Sequence, residues 1–298
     1  MLASSALVAH TTNLDLVVRH VLAGLGHGIH AGRERGAGVE FSEYRAYVPG
    51  DEWRRVDWKL LARADRYYVR EAERDSHVAV WLVLDATASM AEPSRAVDGL
   101  TKLQYARVML ACVGAVAQRQ GDAFGLVVCH GERADVVPAA RGPRQLQRVL
   151  ARLTATEAGG VLPGADTLRA SLRFARAPGV VCAASDFLDW PSPLADALLR
   201  LRRMRHDVRA LCLHTQAEVD AAFDAAASYR DPEGDGVIHR FGRDVRDAYA
   251  RRRADHFDIV ARACRQADLP LVQARIEQAP GEVLRAWLRA HMAGARAA

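Results

Sequence analysis

From Val78 onward, short apolar runs alternate with segments of helical spacing, and this alternation restricts the fold more than any other feature of the chain. The runs are VAVWLVLD (78–85), AFGLVVC (123–129), ADVVPA (134–139), GVVCAAS (179–185), DVRALCLH (207–214) and PLVQAR (270–275). Helical patterns fall at about 96–119, 143–153, 165–176, 191–204 and 248–266, with another at about 280–294. Strands apolar on both faces and separated by helices predict a mostly parallel, doubly wound sheet between two helical layers. The expectation is a three-layer α/β domain over 77–292. Within it, 216–246 breaks the alternation as an insertion that turns at DPEGDG. Residues 1–76 are expected to form an N-terminal accessory segment, with a helix at 13–26, a glycine-rich stretch and a polar, aromatic, turn-punctuated stretch.

In an open parallel sheet, ligands bind outside the carboxyl ends of the strands. The first long strand ends at Asp85, followed by Thr87 and Ser89 in DATAS. GVVCAAS ends at Ser185 and Asp186, and the loop before it carries Asp166 and Thr167 in GADTL. These loops would place carboxylates and hydroxyls on one edge of the sheet. Hard oxygen ligands without histidine or cysteine suit Mg²⁺ or Mn²⁺ and not zinc. The same residues also suit plain capping of the turn and helix that follow Asp85.

Bulk properties narrow the function. The chain has 298 residues and a net charge of +5. The arginines spread along helices, as in RLRRMRH (200–206), with no basic stripe interleaved with aromatics, so nucleic acid is not the expected partner. The five cysteines are scattered without a CxxC pair, which argues against zinc and against a disulfide framework. The start lacks a basic leader, and no apolar stretch reaches the roughly 18 residues that a bilayer requires. A cytoplasmic protein is expected. No nucleophile with an adjacent base stands out, which argues against an enzyme.

DATAS at one strand end, with SDF at a later one, resembles the metal-ion-dependent adhesion site of von Willebrand factor A domains. The resemblance implies that Asp85, Thr87, Ser89 and Asp186 hold a divalent ion, with Thr87 keeping the hydroxyl that serine provides elsewhere. The second element departs from the usual Gly-x-Thr-Asp-Leu. Here GADTL exchanges the two residues, so either Thr167 shifts into place, or Asp166 replaces it, or the site binds no metal.

Upstream, GVEFSEYRAYVPGDEWRRVDWKLLARADRYYVREAERD is similar to the signature of the family called domain of unknown function 58. Gly38, Glu40, Phe41, Arg45, Tyr47, Gly50, Asp51, Arg54, Asp57, Trp58, Ala62 and Arg63 carry the likeness. TKLQYA (101–106), GDAFGLVV (121–128), HDV (206–208) and YRDPEGDG (229–236) extend it. Arg45, Tyr47, Asp51, Arg54, Asp57, Trp58 and Arg63 are expected either to clamp the N-terminal segment onto the sheet domain or to form a docking face. The resemblance implies a von Willebrand factor A-like fold and a non-enzymatic, protein-binding role, a chaperone-like adaptor beside a MoxR-type AAA+ ATPase. A metal-dependent hydrolase or nuclease, and a metal-independent scaffold, remain as alternatives.

Overall fold

The computed structural model describes residues 13–24, 43–46, 67–71, 79–173, 178–223, 228–230, 233, 238–240 and 243–290. The chain divides into two compact units, one of residues 1–27 with 78–298 and one of residues 28–77. In the smaller unit, β1 (Glu43–Ala46) and β2 (Tyr68–Glu71) pair antiparallel, with Arg45 opposite Val69. Of the signature residues, Arg45 stands on β1. Tyr47, Asp51, Arg54, Asp57, Trp58 and Arg63 lie outside the described residues.

The larger unit is built on a six-stranded sheet. Its strands are β3 (Ala79–Asp85), β4 (Ala123–His130), β5 (Arg133–Ala140), β6 (Val180–Ser185), β7 (Asp207–His214) and β10 (Leu271–Arg275), in the order β10-β7-β6-β3-β4-β5. All neighbours run parallel except β5, which closes one edge antiparallel to β4. Pro138 sits on that edge strand, where a missing N–H is tolerated. The chain enters the sheet at β3, builds outward to β5 and then crosses back to β6 on the other side of β3. The reversal leaves a crevice at the carboxyl end of β3, the usual place for a ligand in such a sheet.

Alternate residues of each strand serve opposite helical layers. Trp81, Val83, Val127, Val181, Ala183 and Val208 pack with Leu168, Leu194, Leu198, Phe257 and Val260 in one buried cluster. These partners come from α4 (Ala165–Ser171), α5 (Pro193–Arg203) and α7 (Arg243–Gln266). On the other face runs α2 (Lys102–Gln120), whose Gly114 lies against Leu82 and Phe124. Beside α2 pack α3 (Pro143–Ala155), α8 (Pro280–Arg289) and the N-terminal α1 (Leu14–Gly24). Val17, Val18, Val21 and Leu22 form the buried face of α1. Thus this helix belongs with the sheet domain, although the sequence groups it with the accessory segment.

Local chemistry sets the helix limits. The helical pattern from about 96 begins in earnest at Lys102, because Thr101 and Gln104 form a reciprocal capping box there. Between β3 and α2 lies only a 3-10 turn at Ala88–Ala91. The expected insertion contains a short helical turn, α6 (Gln216–Val219), and the pair β8 (Ser228–Arg230) with β9 (Ile238–Arg240). Its end is already helical, since α7 starts at Arg243 and not near 248. All five cysteines are buried and free.

One close approach governs the packing of β3 against β4. A Cβ on Gly125 would lie 2.3 Å from the indole of Trp81 and 2.8 Å from the Val137 carbonyl. The indole has no room to retreat, since Trp81 is itself buried in the sheet-facing cluster. Gly125→Ala should therefore lower the stability of the chain by about 2 kcal/mol, measured by denaturant unfolding.

Candidate functional site

The central strand delivers Asp85 to the crevice. Pairing with β4 continues one residue past it, through the Ala86 N–H to the Cys129 carbonyl at 2.8 Å, so the carboxylate is fixed to the end of the sheet. The chain then turns back on that carboxylate. The Thr87 N–H (3.0 Å) and the Thr87 hydroxyl (2.8 Å) both donate to Oδ1 of Asp85. The Ser185 hydroxyl at the end of β6 donates to Oδ2 at 2.6 Å, and the Phe187 N–H steadies that hydroxyl at 2.9 Å. Oγ of Ser89 stands 3.2 Å from Oγ1 of Thr87. The alternating hydroxyls of DATAS therefore face one point, beside a carboxylate that is 2% exposed.

No cation pairs with Asp85 among the described residues. Burial pushes its carboxyl up to about 7, and the nearby charge of Asp186 pushes the same way, against the hydrogen bonds from Ser185 and Thr87.

Asp186, by contrast, has a cation beside it. The Lys102 ammonium lies 2.7 Å from Oδ2 of Asp186 and 3.0 Å from Oε1 of Glu218, and Lys102 is 1% exposed. Burial alone would make this lysine easier to deprotonate, but the two carboxylates outweigh it and hold it firmly charged. Glu218 divides its oxygens between two tasks. Oε1 takes Lys102, while Oε2 accepts the Thr215 N–H at 2.7 Å as half of a capping box. Oδ1 of Asp186 accepts the Leu188 N–H at 3.3 Å. Asp186 thus lines the site with both oxygens engaged by the protein's own donors.

The second loop reaches the site through its backbone. The Ala88 N–H donates to the Gly160 carbonyl at 2.9 Å, and the Gly159 N–H donates to the Ala86 carbonyl at 2.9 Å. Gly160 has φ +66 and lies against the backbone of Gly131, where a Cβ would sit 2.7 Å from its Cα. Its place suits only glycine. The side chains of GADTL do something else. Asp166 points to solvent and pairs with Arg169 at 3.1 Å along α4. Thr167 is half-buried on the same helix, and its carbonyl accepts the Ser171 hydroxyl at 2.8 Å. The structure therefore brings together Asp85, Thr87, Ser89 and Asp186, and it turns Asp166 away from them.

Several further residues belong to the site. Ser185 was legible only as a strand end. Lys102 looks like a solvated helix residue, yet a lysine in the first turn of a helix opposes the dipole and calls for a compensating acid. That mismatch is the signal that could have found it. Glu218 was hidden inside the interrupting segment, although Thr215-x-x-Glu218 reads as a capping box. Glu233, whose Oε1 accepts the Ser89 N–H at 2.9 Å, belongs to the sequence DPEGDG.

The geometry supports two expectations. Lys102→Met should destabilise the protein by about 3 kcal/mol in chemical denaturation, because it leaves Asp186 and Glu218 buried without their cation. The second concerns pH. The folded value of Asp85 lies above the ordinary 3.8, so its contribution to stability is complete below that pH and is lost as pH rises through about 7. In metal-free buffer, wild type should lose stability between pH 5 and 8 relative to Asp85→Asn, by about 2 kcal/mol in denaturant titrations at the two pH values.

Comparison with known proteins places the chain. An uncharacterized protein of Mycobacterium tuberculosis (strain H37Rv) is 32% identical over 284 residues, which span 91% of this chain and 86% of that protein. An uncharacterized protein of Mycobacterium bovis matches equally. Among solved structures, the conserved hypothetical protein BatB of Bacteroides thetaiotaomicron aligns with TM-score 0.42 and 14% identity over 71% of this chain and 99% of that one. The SpRpn10 VWA domain aligns with TM-score 0.39 and 10% identity over 70% of this chain and 93% of that one. The profile of the family described as "Protein of unknown function DUF58" matches residues 43–258, and with the mycobacterial relatives this establishes that the chain belongs to that family.

Proposed function

We propose that this protein is a non-enzymatic protein-interaction module. Its recognition point is the oxygen cluster at the end of β3, completed by a divalent ion of the Mg²⁺ or Mn²⁺ type. Asp85 carries the proposal: a buried carboxylate at the switch point of the sheet, beside two inward hydroxyls, without a cation of its own among the described residues.

The donor set fits such an ion. All its atoms are oxygens, which suits a hard cation. The distances from Asp85 Oδ1 to Thr87 Oγ1 and from Thr87 Oγ1 to Ser89 Oγ are 2.8 and 3.2 Å. Adjacent ligands of an octahedral Mg²⁺ stand about 3 Å apart, so these oxygens need little movement. Among the described residues no three His, Cys, Asp or Glu side chains converge on one point, so hydroxyls would carry much of the coordination. Asp85, Thr87 and Ser89 would hold the ion, and Asp186 would add charge through water. When bound, the ion supplies an open position with affinity for a carboxylate. Lys102 meanwhile keeps Asp186 oriented and partly neutralised.

The partner implied by the family resemblance is a MoxR-type AAA+ ATPase or its client, presenting an acidic side chain. No helix among the described residues is long and apolar enough to cross a membrane. A cytoplasmic setting is part of the proposal.

A second reading follows from the same carboxylate. A group poised near pH 7 also suits a general base, so a metal-dependent hydrolase is the competing assignment. Against it, both oxygens of Asp85 are buried and already accept hydrogen bonds from Thr87 and Ser185.

Thermal unfolding with and without millimolar Mn²⁺ tests the ion. Wild type should gain several degrees and Asp85→Ala none, since a ligand of the native state stabilises by mass action. An unchanged melting temperature in both removes the ion from the proposal. Mg²⁺-dependent cleavage of a phosphodiester by wild type, lost in Asp85→Ala, would favour the hydrolase.

A further inference from the structure

We infer that Glu233 is an internal ligand of this site, standing where the proposed function expects a partner's carboxylate. The inference rests on that function, because it assumes an ion held by Asp85, Thr87 and Ser89.

Glu233 lies 144 residues from Ser89, yet its Oε1 accepts the Ser89 N–H at 2.9 Å. That N–H belongs to the residue whose hydroxyl completes the cluster, 3.2 Å from Thr87 Oγ1. The contact therefore sets the Glu233 carboxylate beside the residue whose hydroxyl closes the cluster.

Electrostatics favours the same assignment. Asp85 and Asp186 already repel one another across the site. Lys102, the ammonium beside them, spends its short contacts on Asp186 and Glu218. Glu233 brings a further carboxylate to the Ser89 end of the same cluster. A divalent ion among Asp85, Thr87, Ser89 and Glu233 turns that repulsion into attraction. Glutamate also has the reach and charge that such ions prefer for an acidic ligand.

An internal carboxylate changes how the site would be used. A partner's acidic side chain would not enter an open position. It would have to displace Glu233, a tethered competitor at high effective concentration. Partner selection would then depend on a carboxylate that brings enough additional contact to win the exchange.

Glu233→Gln separates a ligand from a simple tether. The amide oxygen can still accept the Ser89 N–H, so a tether survives while the negative charge is lost. Mn²⁺ binding to the full chain, followed by electron paramagnetic resonance, and water-proton relaxation of the bound ion read the difference. Glu233→Gln should weaken Mn²⁺ about tenfold and raise the number of exchanging waters on it. Equal or tighter Mn²⁺ binding by Glu233→Gln, with an unchanged water count, overturns the inference. If Asp85→Ala alone loses Mn²⁺, the proposed function stands and the internal ligand falls. If wild type does not bind Mn²⁺, both fall together.

Discussion

The ammonium of Lys102 is the interaction on which the rest of the site depends. It sits at the first position of α2, where a positive charge opposes the helix dipole, and at 1% exposure it has no water to relieve it. Asp186 from the end of β6 and Glu218 from the turn after β7 answer it at 2.7 and 3.0 Å. Three segments that are distant in sequence are thereby locked around one charge. Removing a single member would leave an uncompensated ion in the interior, which costs far more than the triad contributes when intact. The triad also fixes the wall of the crevice. Asp186 cannot swing toward Asp85 while Lys102 holds it, so the two carboxylates keep separate environments a short distance apart.

That separation explains the division of labour. Asp186 is neutralised by the protein, and Asp85 is not. Burial and the neighbouring charge leave Asp85 poised near neutrality, while hydroxyls and N–H groups satisfy its oxygens geometrically. Satisfying hydrogen bonds differs from compensating charge. Asp85 has the first and, among the described residues, not the second, which is the ground on which we propose a cation there. The glycines of the second loop serve the same end. Gly159 and Gly160 clamp the DATAS turn by backbone alone, and Gly160 does so from a conformation and a close approach that exclude side chains.

The architecture was legible because it follows from periodicity. Apolar runs and helical patterns alternate, and each run became a strand of the sheet within a residue or two. Asp85, Thr87, Ser89 and Asp186 were legible because strand ends in such sheets face a common edge. The contacts that give these residues their electrostatic character were not. Lys102 lies 84 residues from Asp186 and 116 from Glu218, and although its place in the first turn of a helix calls for an acid, nothing local says which one answers. Asp166 misled for the opposite reason. Its place in a motif suggested the site, but on α4 its side chain is exposed to solvent and pairs with Arg169. A motif fixes which residues are present, whereas helix phase decides which way they face.

The position of α1 has a consequence for how the sheet domain can be divided. In sequence, the unit of residues 28–77 falls between α1 and β3, so the larger unit is discontinuous in the chain. A chain that began at Val78 would retain every strand of the large sheet and the whole oxygen cluster. It would nonetheless strip Val17, Val18, Val21 and Leu22 from the layer that α2, α3 and α8 share with α1. The exposed apolar strip would favour self-association. The natural border of this domain therefore runs through space and not through the sequence, and the sheet owes part of its outer wall to residues translated well before its first strand.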